Sequence, residues 1–223
     1  MRSAPDRHES RPQVRRIVSA CLVITCVAAL AVGTALAQAP TGHEAHMAAA
    51  ARGASPSRIG VMTPQPVVVD VPLVDQAGRA TSLREAVDTN MPVMVNFIFT
   101  SCTTVCPIMS AGFAQLREGL GPERDQVRLL SISIDPETDT VARLRAYAER
   151  YGAGASWQFL TGASAATEAA QRVFGAYRGD KNNHAPATYL RRTRNAPWEA
   201  LEGLSSAQML LRAYREDGAG RGF

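Results

Sequence analysis

Residues 93–107 read Val93-Met94-Val95-Asn96-Phe97-Ile98-Phe99-Thr100-Ser101-Cys102-Thr103-Thr104-Val105-Cys106-Pro107. Pro92 to Thr100 is a nearly unbroken apolar run of strand length, the pattern of a central strand covered on both faces. A helical pattern opens at Pro107, with Ile108, Gly112, Leu116 and Leu120 recurring on one face beside Phe113, and Gly121-Pro122 stops it. The spacing therefore predicts a strand, a short polar loop carrying two thiols, and a helix. It places Cys106 near the N-cap and Pro107 at the first helical position, where a missing N–H costs nothing. A helix N-terminus stabilises thiolates, and the thiolate is both the nucleophile and the metal ligand.

Outward from this stretch the pattern continues as strand and helix in alternation. Leu130, Ile132 and Ile134 alternate with Ser131 and Ser133 as a second strand. Val141, Leu144, Ala148 and Tyr151 mark a second helix, ended by Gly152. Trp157–Leu160 is a short strand with Trp157 and Phe159 in the core, residues 165–174 are helical, Ala187–Leu190 is a late strand, and Ser206–Arg215 is a last helix. Upstream, Val67-Val68-Val69 and Leu73-Val74 beside the turn signal Asp75-Gln76-Ala77-Gly78 read as an N-terminal β-hairpin. Strand–helix–strand with short joins is a parallel crossover. The thiols then stand beyond the carboxyl end of a central strand, where sites in α/β sheets gather. The expected fold is α/β and thioredoxin-like: a central mixed sheet flanked by helices, with an N-terminal hairpin.

The chain has 223 residues and four cysteines. Cys21 and Cys26 lie in an apolar stretch, Ile17 to about Val32, that follows Arg2, Arg7, Arg11, Arg15 and Arg16 and ends in Ala35-Leu36-Ala37. That is the form of a secretory signal peptide cleaved after Ala37. It also just reaches the roughly 20 residues of a membrane anchor. Either reading places the rest of the chain in an exported, oxidising compartment such as the periplasm, where two remaining cysteines call for a role. Beyond residue 37 the chain keeps 19 of its 24 basic and 18 of its 20 acidic residues, so its high pI is mostly that of the leader. No basic stripe argues for nucleic acid. The expected organisation is a leader or anchor over residues 1–37, a flexible linker over 38–62, one domain over 63–216 and a disordered tail over 217–223. Membrane contact is expected only through residues 17–37. His43, His46 and Met47 lie within the linker, where they read as solvated residues or a weak copper- or zinc-capturing tract.

Inert core thiols favour apolar surroundings, whereas Ser101, Thr103 and Thr104 surround this pair. A purely structural disulfide closing so short a loop restricts the unfolded chain little. Metal binding and thiol redox chemistry remain. Two soft thiolates favour Cu(I). His184, in the polar stretch Gly179-Asp180-Lys181-Asn182-Asn183-His184-Ala185-Pro186, is the one histidine of the folded part; by residue type it reads as a solvated surface histidine or as a candidate third ligand. Asp135, ending the second strand, can take protons from the thiols or orient a ligand, and can equally serve a turn or helix cap with Asp139 and Thr140. Met109, one turn beyond Cys106, reads as core packing.

Four motifs in order carry a resemblance to a known family. Cys102-x-x-x-Cys106-Pro107 after Phe97-Ile98-Phe99-Thr100, Ser131–Thr140, Trp157–Gly162, and His184 followed by Tyr189-Leu190 together resemble the SCO/SenC family of copper-binding, thioredoxin-like proteins. The resemblance covers about residues 65–192. It implies a copper ion held by Cys102, Cys106 and His184. It further implies a role in building the dinuclear copper centre of cytochrome c oxidase, by delivering copper to an apo copper-protein subunit or by keeping that partner's thiols reduced. Asn183 stands where the family usually has Asp, the family's Asp-Pro-Asp-Gly turn is missing, and Pro186 stands where an apolar residue is usual. A cis Pro186 would face the cysteines as in thioredoxin-like redox enzymes. These departures shift the expectation toward thiol–disulfide exchange as the alternative activity, with Cys102 attacking and Cys106 resolving.

Overall fold

The computed structural model describes residues 58–216. The leader, Cys21, Cys26, His43, His46, Met47, the first part of the linker and the tail lie outside them. Eight strands form one sheet in the order β1-β8-β7-β4-β5-β6-β2-β3: β1 Arg58–Val61, β2 Pro72–Asp75, β3 Ala80–Ser82, β4 Val93–Ile98, β5 Arg128–Ser133, β6 Trp157–Thr161, β7 Ala187–Arg191 and β8 Glu199–Glu202. Strands β4, β5 and β6 are parallel and every other pairing is antiparallel, so the sheet is mixed as expected. Five helices accompany it: α1 Leu83–Val87, α2 Val105–Leu120, α3 Val141–Arg150, α4 Ser164–Val173 and α5 Ala207–Arg215. Among the described residues no helix is long and apolar enough to cross a membrane.

The period-2 geometry of a strand explains why β4 is apolar throughout. Met94 and Ile98 pack on one face of the sheet with Phe113, Leu116 and Leu120 of α2, Leu144 and Tyr147 of α3, and Leu210 and Ala213 of α5. Val93, Val95 and Phe97 pack on the other with Leu83 and Val87 of α1, Ala166 and Ala170 of α4, and Phe174. All six residues of β4 are buried. Trp157 and Phe159 are fully buried on the first face, where the Trp157 indole N–H donates to Ser131 Oγ at 3.0 Å. Met109 is core, as its helical spacing suggested.

Three local expectations change. The hairpin forms around the turn after Asp75, but between Pro72–Asp75 and Ala80–Ser82; Val67–Val69 are not in a strand, and Val67 is 79% exposed. The turn itself is fixed by the Asp75 carboxylate, which accepts from the N–H groups of Ala77 and Arg79. Arg58–Val61, at the end of the stretch read as linker, is an edge strand paired with β8. Strand β8 and helix α1 have no counterpart in the sequence reading: both are short, and Leu201 and Leu83 are buried only through tertiary packing.

Candidate metal and thiol site

The loop 99–104 leaves the carboxyl end of β4 and feeds α2. The Cys102 N–H donates to the Phe99 carbonyl at 3.1 Å, turning the chain back. Thr104, not Cys106, is the N-cap of α2, and its hydroxyl makes no capping bond. Cys106 is the second helical residue and Pro107 the third, two positions further into the helix than the sequence suggested. The reason is visible in the hydrogen bonding. The Cys106 N–H, an orphan donor of the first turn, is satisfied by Cys102 Sγ at 3.4 Å. A thiol sulfur thus does the work of a capping oxygen. Pro107 still costs nothing, because its absent N–H falls among the orphans.

The two thiols are both reduced and both largely buried, yet their environments push them apart. Burial pushes Cys102 up, but the N–H groups of Cys106 and Thr104, with the Cys106 thiol and the Thr104 hydroxyl, outweigh it, and the net result lies below the ordinary thiol value. Cys106 is fully buried and driven well above the ordinary value, first by desolvation and then by donating to, and lying beside, the Cys102 sulfur, with Asp139 adding to it. The pair is asymmetric: Cys102 is the more readily ionised thiol and Cys106 the less.

Behind the loop stands a carboxylate that the sequence reading left as a helix cap. Asp139 is completely buried. It accepts from the Thr100 N–H at 3.1 and 3.2 Å, from Thr100 Oγ1 at 2.5 Å, and from Ser133 Oγ at 2.7 Å. The cap of α3 is Thr140, whose Oγ1 accepts from the Arg143 N–H. Asp139 instead ties the thiol loop to the end of β5. Its signal lay in the run Asp135–Thr140, but sequence alone could not tell which polar side chain turns inward.

Asp135 does not face the thiols as a bonded partner. Its carboxylate accepts from Lys181 Nζ at 2.6 Å, and its backbone carbonyl accepts from the Thr138 and Asp139 N–H groups. Lys181, given no role by the sequence, has its Nζ 5.7 Å from the Phe99 ring centroid. It opens the 3₁₀ turn Lys181–Asn183 that leads into His184.

His184 is held below the ordinary histidine range, first by burial, opposed by a hydrogen bond to the Phe97 backbone and assisted by the nearby positive charge of Arg178. Its Nε2 is buried without a hydrogen-bond partner. The imidazole therefore meets β4 at Phe97, while the Cys102 loop meets the same strand end at Phe99. Ring and thiol loop both meet the carboxyl end of the central strand β4. They are not brought to ligating distance: among the described residues no three His, Cys, Asp or Glu side chains form a group that could hold a metal. Pro186 is not preceded by a cis bond; the cis peptide among the described residues is Thr63–Pro64. Its part here is its carbonyl, which accepts from the Gly203 N–H at 2.9 Å and links the His184 loop to the end of β8.

A family model described as SCO1/SenC matches residues 62–214. A SCO1 protein homolog of Bacillus subtilis (strain 168) is 42% identical over 72 residues, covering 32% of this chain; the match spans 37% of that relative's length. Among solved structures, BsSco, described as a member of the Sco family of cytochrome c oxidase assembly proteins with a disulfide switch, aligns with TM-score 0.58 and 25% identity over 70% of this chain and 95% of its own. Bradyrhizobium japonicum ScoI with copper bound aligns with TM-score 0.55 and 21% identity over 67% of this chain and 98% of its own. The latter likeness bears on the fold alone.

Proposed function

The chain belongs to the SCO1/SenC family, and from that premise we propose that it is an exported copper metallochaperone of cytochrome c oxidase assembly. Cu(I) is its cargo, taken by the thiolates of Cys102 and Cys106 and the neutral imidazole of His184. The observation that carries this reading is the donor set at one strand end: two free thiols, one of them favoured as thiolate, and a buried imidazole nitrogen with no partner. An unpartnered buried nitrogen costs about 1–3 kcal/mol, and ligation relieves that cost. Soft sulfur and imidazole donors suit Cu(I). Loading requires the ring and sulfurs to close on one another. The recipient is an apo copper-binding subunit of the oxidase, which receives the ion by ligand exchange.

Stoichiometric Cu(I) titration of the reduced chain tests the reading. One ion per chain is expected, with affinity lost in Cys102→Ser/Cys106→Ser and weakened in His184→Ala. Undiminished binding in the double variant defeats it. Because metal must displace the thiol proton of Cys106, affinity should fall as pH drops.

The asymmetry of the two thiols favours a second activity of the same site, thiol–disulfide exchange. Cys102 thiolate attacks a partner disulfide and releases one partner thiolate. Cys106 then loses its proton and displaces the second, leaving the partner as a dithiol and Cys102–Cys106 as a disulfide. A Cys106→Ser chain that traps a mixed disulfide with its partner supports this activity, and a His184→Ala chain should retain it. The oxidised pair cannot hold Cu(I), so the two activities exclude one another in time.

A further inference from the structure

The turn that delivers His184 is closed by its own backbone and cap. Asp180 Oδ1 accepts from the Asn182 N–H at 2.7 Å, the Asp180 carbonyl accepts from the Asn183 N–H at 3.0 Å, and the Lys181 carbonyl accepts from the His184 N–H at 3.1 Å. These bonds shape the turn without anchoring it. The His184 ring bonds the Phe97 backbone and the Pro186 carbonyl takes the Gly203 N–H, while Lys181 adds the tie toward the thiol loop, reaching across to Asp135 Oδ2 at 2.6 Å with its ammonium near the Phe99 ring. Asp135 is itself part of a frame. Its carbonyl takes the Asp139 N–H at 2.8 Å, and the Asp139 carboxylate grips Thr100, two residues before Cys102. A continuous chain of bonds therefore runs from the His184 turn through Lys181, Asp135 and Asp139 to the thiol loop.

Ordering a lysine side chain costs rotamer freedom, so a lysine held in one geometry needs a return. A charge-assisted bond to a carboxylate that is only 10% exposed supplies it. Asp135 lies two residues beyond the end of β5, whose last residue, Ser133, donates to the same Asp139 carboxylate that grips the thiol loop. A surface ion pair placed elsewhere would contribute little. Here it fixes the relation of two elements distant in sequence.

We propose that Lys181 is a positioning residue for the copper site: its bond to Asp135 registers the His184 turn to the frame that holds Cys102 and Cys106. The inference rests on the copper reading for its purpose, but its mechanical content stands apart and is tested without metal. In the full-length, metal-free, reduced chain, carbethoxylation of His184 by diethyl pyrocarbonate is followed by mass spectrometry of the peptide that contains it. Lys181→Met keeps the apolar stem and removes the ammonium, so the imidazole should be modified faster than in the unaltered chain, and Lys181→Arg, which can still reach a carboxylate, should restore the slow rate. Equal rates in all three overturn the proposal. Cu(I) affinity supplies the second readout. Loss of an outer partner of a ligand typically costs about tenfold or more in metal affinity, and that loss is expected in Lys181→Met. It should vanish when His184→Ala is already present. An unaltered affinity, or an equal loss with and without His184, overturns the proposal. If the unaltered chain and His184→Ala bind Cu(I) equally, the copper reading fails, while the carbethoxylation rates still decide the place of Lys181.

Discussion

At the scale of the residue, the site is a pair of thiols that differ because one sulfur accepts hydrogen bonds and the other donates one. The consequence is selective reactivity. Alkylation of the reduced chain by iodoacetamide should strike Cys102 first, with a pH midpoint below that of an ordinary free thiol. Cys106 should stay unmodified across neutral pH because it is fully buried and its thiol is pushed up. Peptide mass spectrometry after timed quenching checks both; equal rates at the two positions would contradict the asymmetry. His184 supplies a second residue-scale expectation. Its folded-state pKa is depressed from about 6.5, so the unfolded chain takes up a proton that the folded chain resists. The stability it contributes is complete above about 6.5 and is lost as pH falls toward the folded value. Urea unfolding of the metal-free chain should show stability declining through that window, and His184→Gln should flatten the decline.

At the scale of the element, loop 99–104 and helix α2 are held from two sides. Asp139 holds the loop from below, and its replacement strands donors that bonded to a buried charge. Hydrogen bonds to charged groups are worth about 1.5–3 kcal/mol each, so Asp139→Ala should destabilise by about 3 kcal/mol and make Cys106 accessible to alkylation. Denaturant unfolding measures the first and thiol labelling the second. Helix α2 is held against α5 at Gly112, where an added Cβ would stand 3.3 Å from the Ser205 carbonyl and 3.6 Å from Leu210 Cδ1. Gly112→Val adds three carbons to that contact, and overpacking of this kind costs about 1–3 kcal/mol. Circular dichroism melts should place this variant below Gly112→Ala in stability, with Gly112→Ala close to the unaltered chain.

At the scale of the whole molecule, the sheet carries a hydrophobic layer on each face, with Ile98 in one and Phe97 in the other. A unit with two filled layers has the means to fold alone. A fragment of residues 58–216 should unfold in one cooperative denaturant transition reported alike by Trp157 and Trp198 fluorescence and by far-UV dichroism; two separated transitions would show that the layers are independent. The strand–helix alternation from β4 to β7 was legible in the sequence because each element there repeats its own period over a full face: Val93, Val95 and Phe97 against Met94 and Ile98, or Leu116 and Leu120 along α2. Elements too short to show a period, β1, β8 and α1, were not. The candidate site was legible as residue types. Cys102, Cys106 and His184 stand out by chemistry, while Asp139 and Lys181 look like ordinary surface residues until the chain is folded.

By itself, the sequence determined the mixed α/β sheet and the place of two thiols at a strand–helix junction, because hydrophobic periodicity and turn chemistry are local properties written into neighbouring residues; it paired His184 with the thiols only through the family resemblance. Only the tertiary structure decided which thiol is pushed down and which up, that Asp139 grips the loop while Thr140 caps α3, that Asp135 pairs with Lys181, and that Ala185–Pro186 stays trans. Those outcomes depend on burial and on hydrogen-bond partners up to 46 positions apart in the chain, and no pattern among neighbouring residues encodes them.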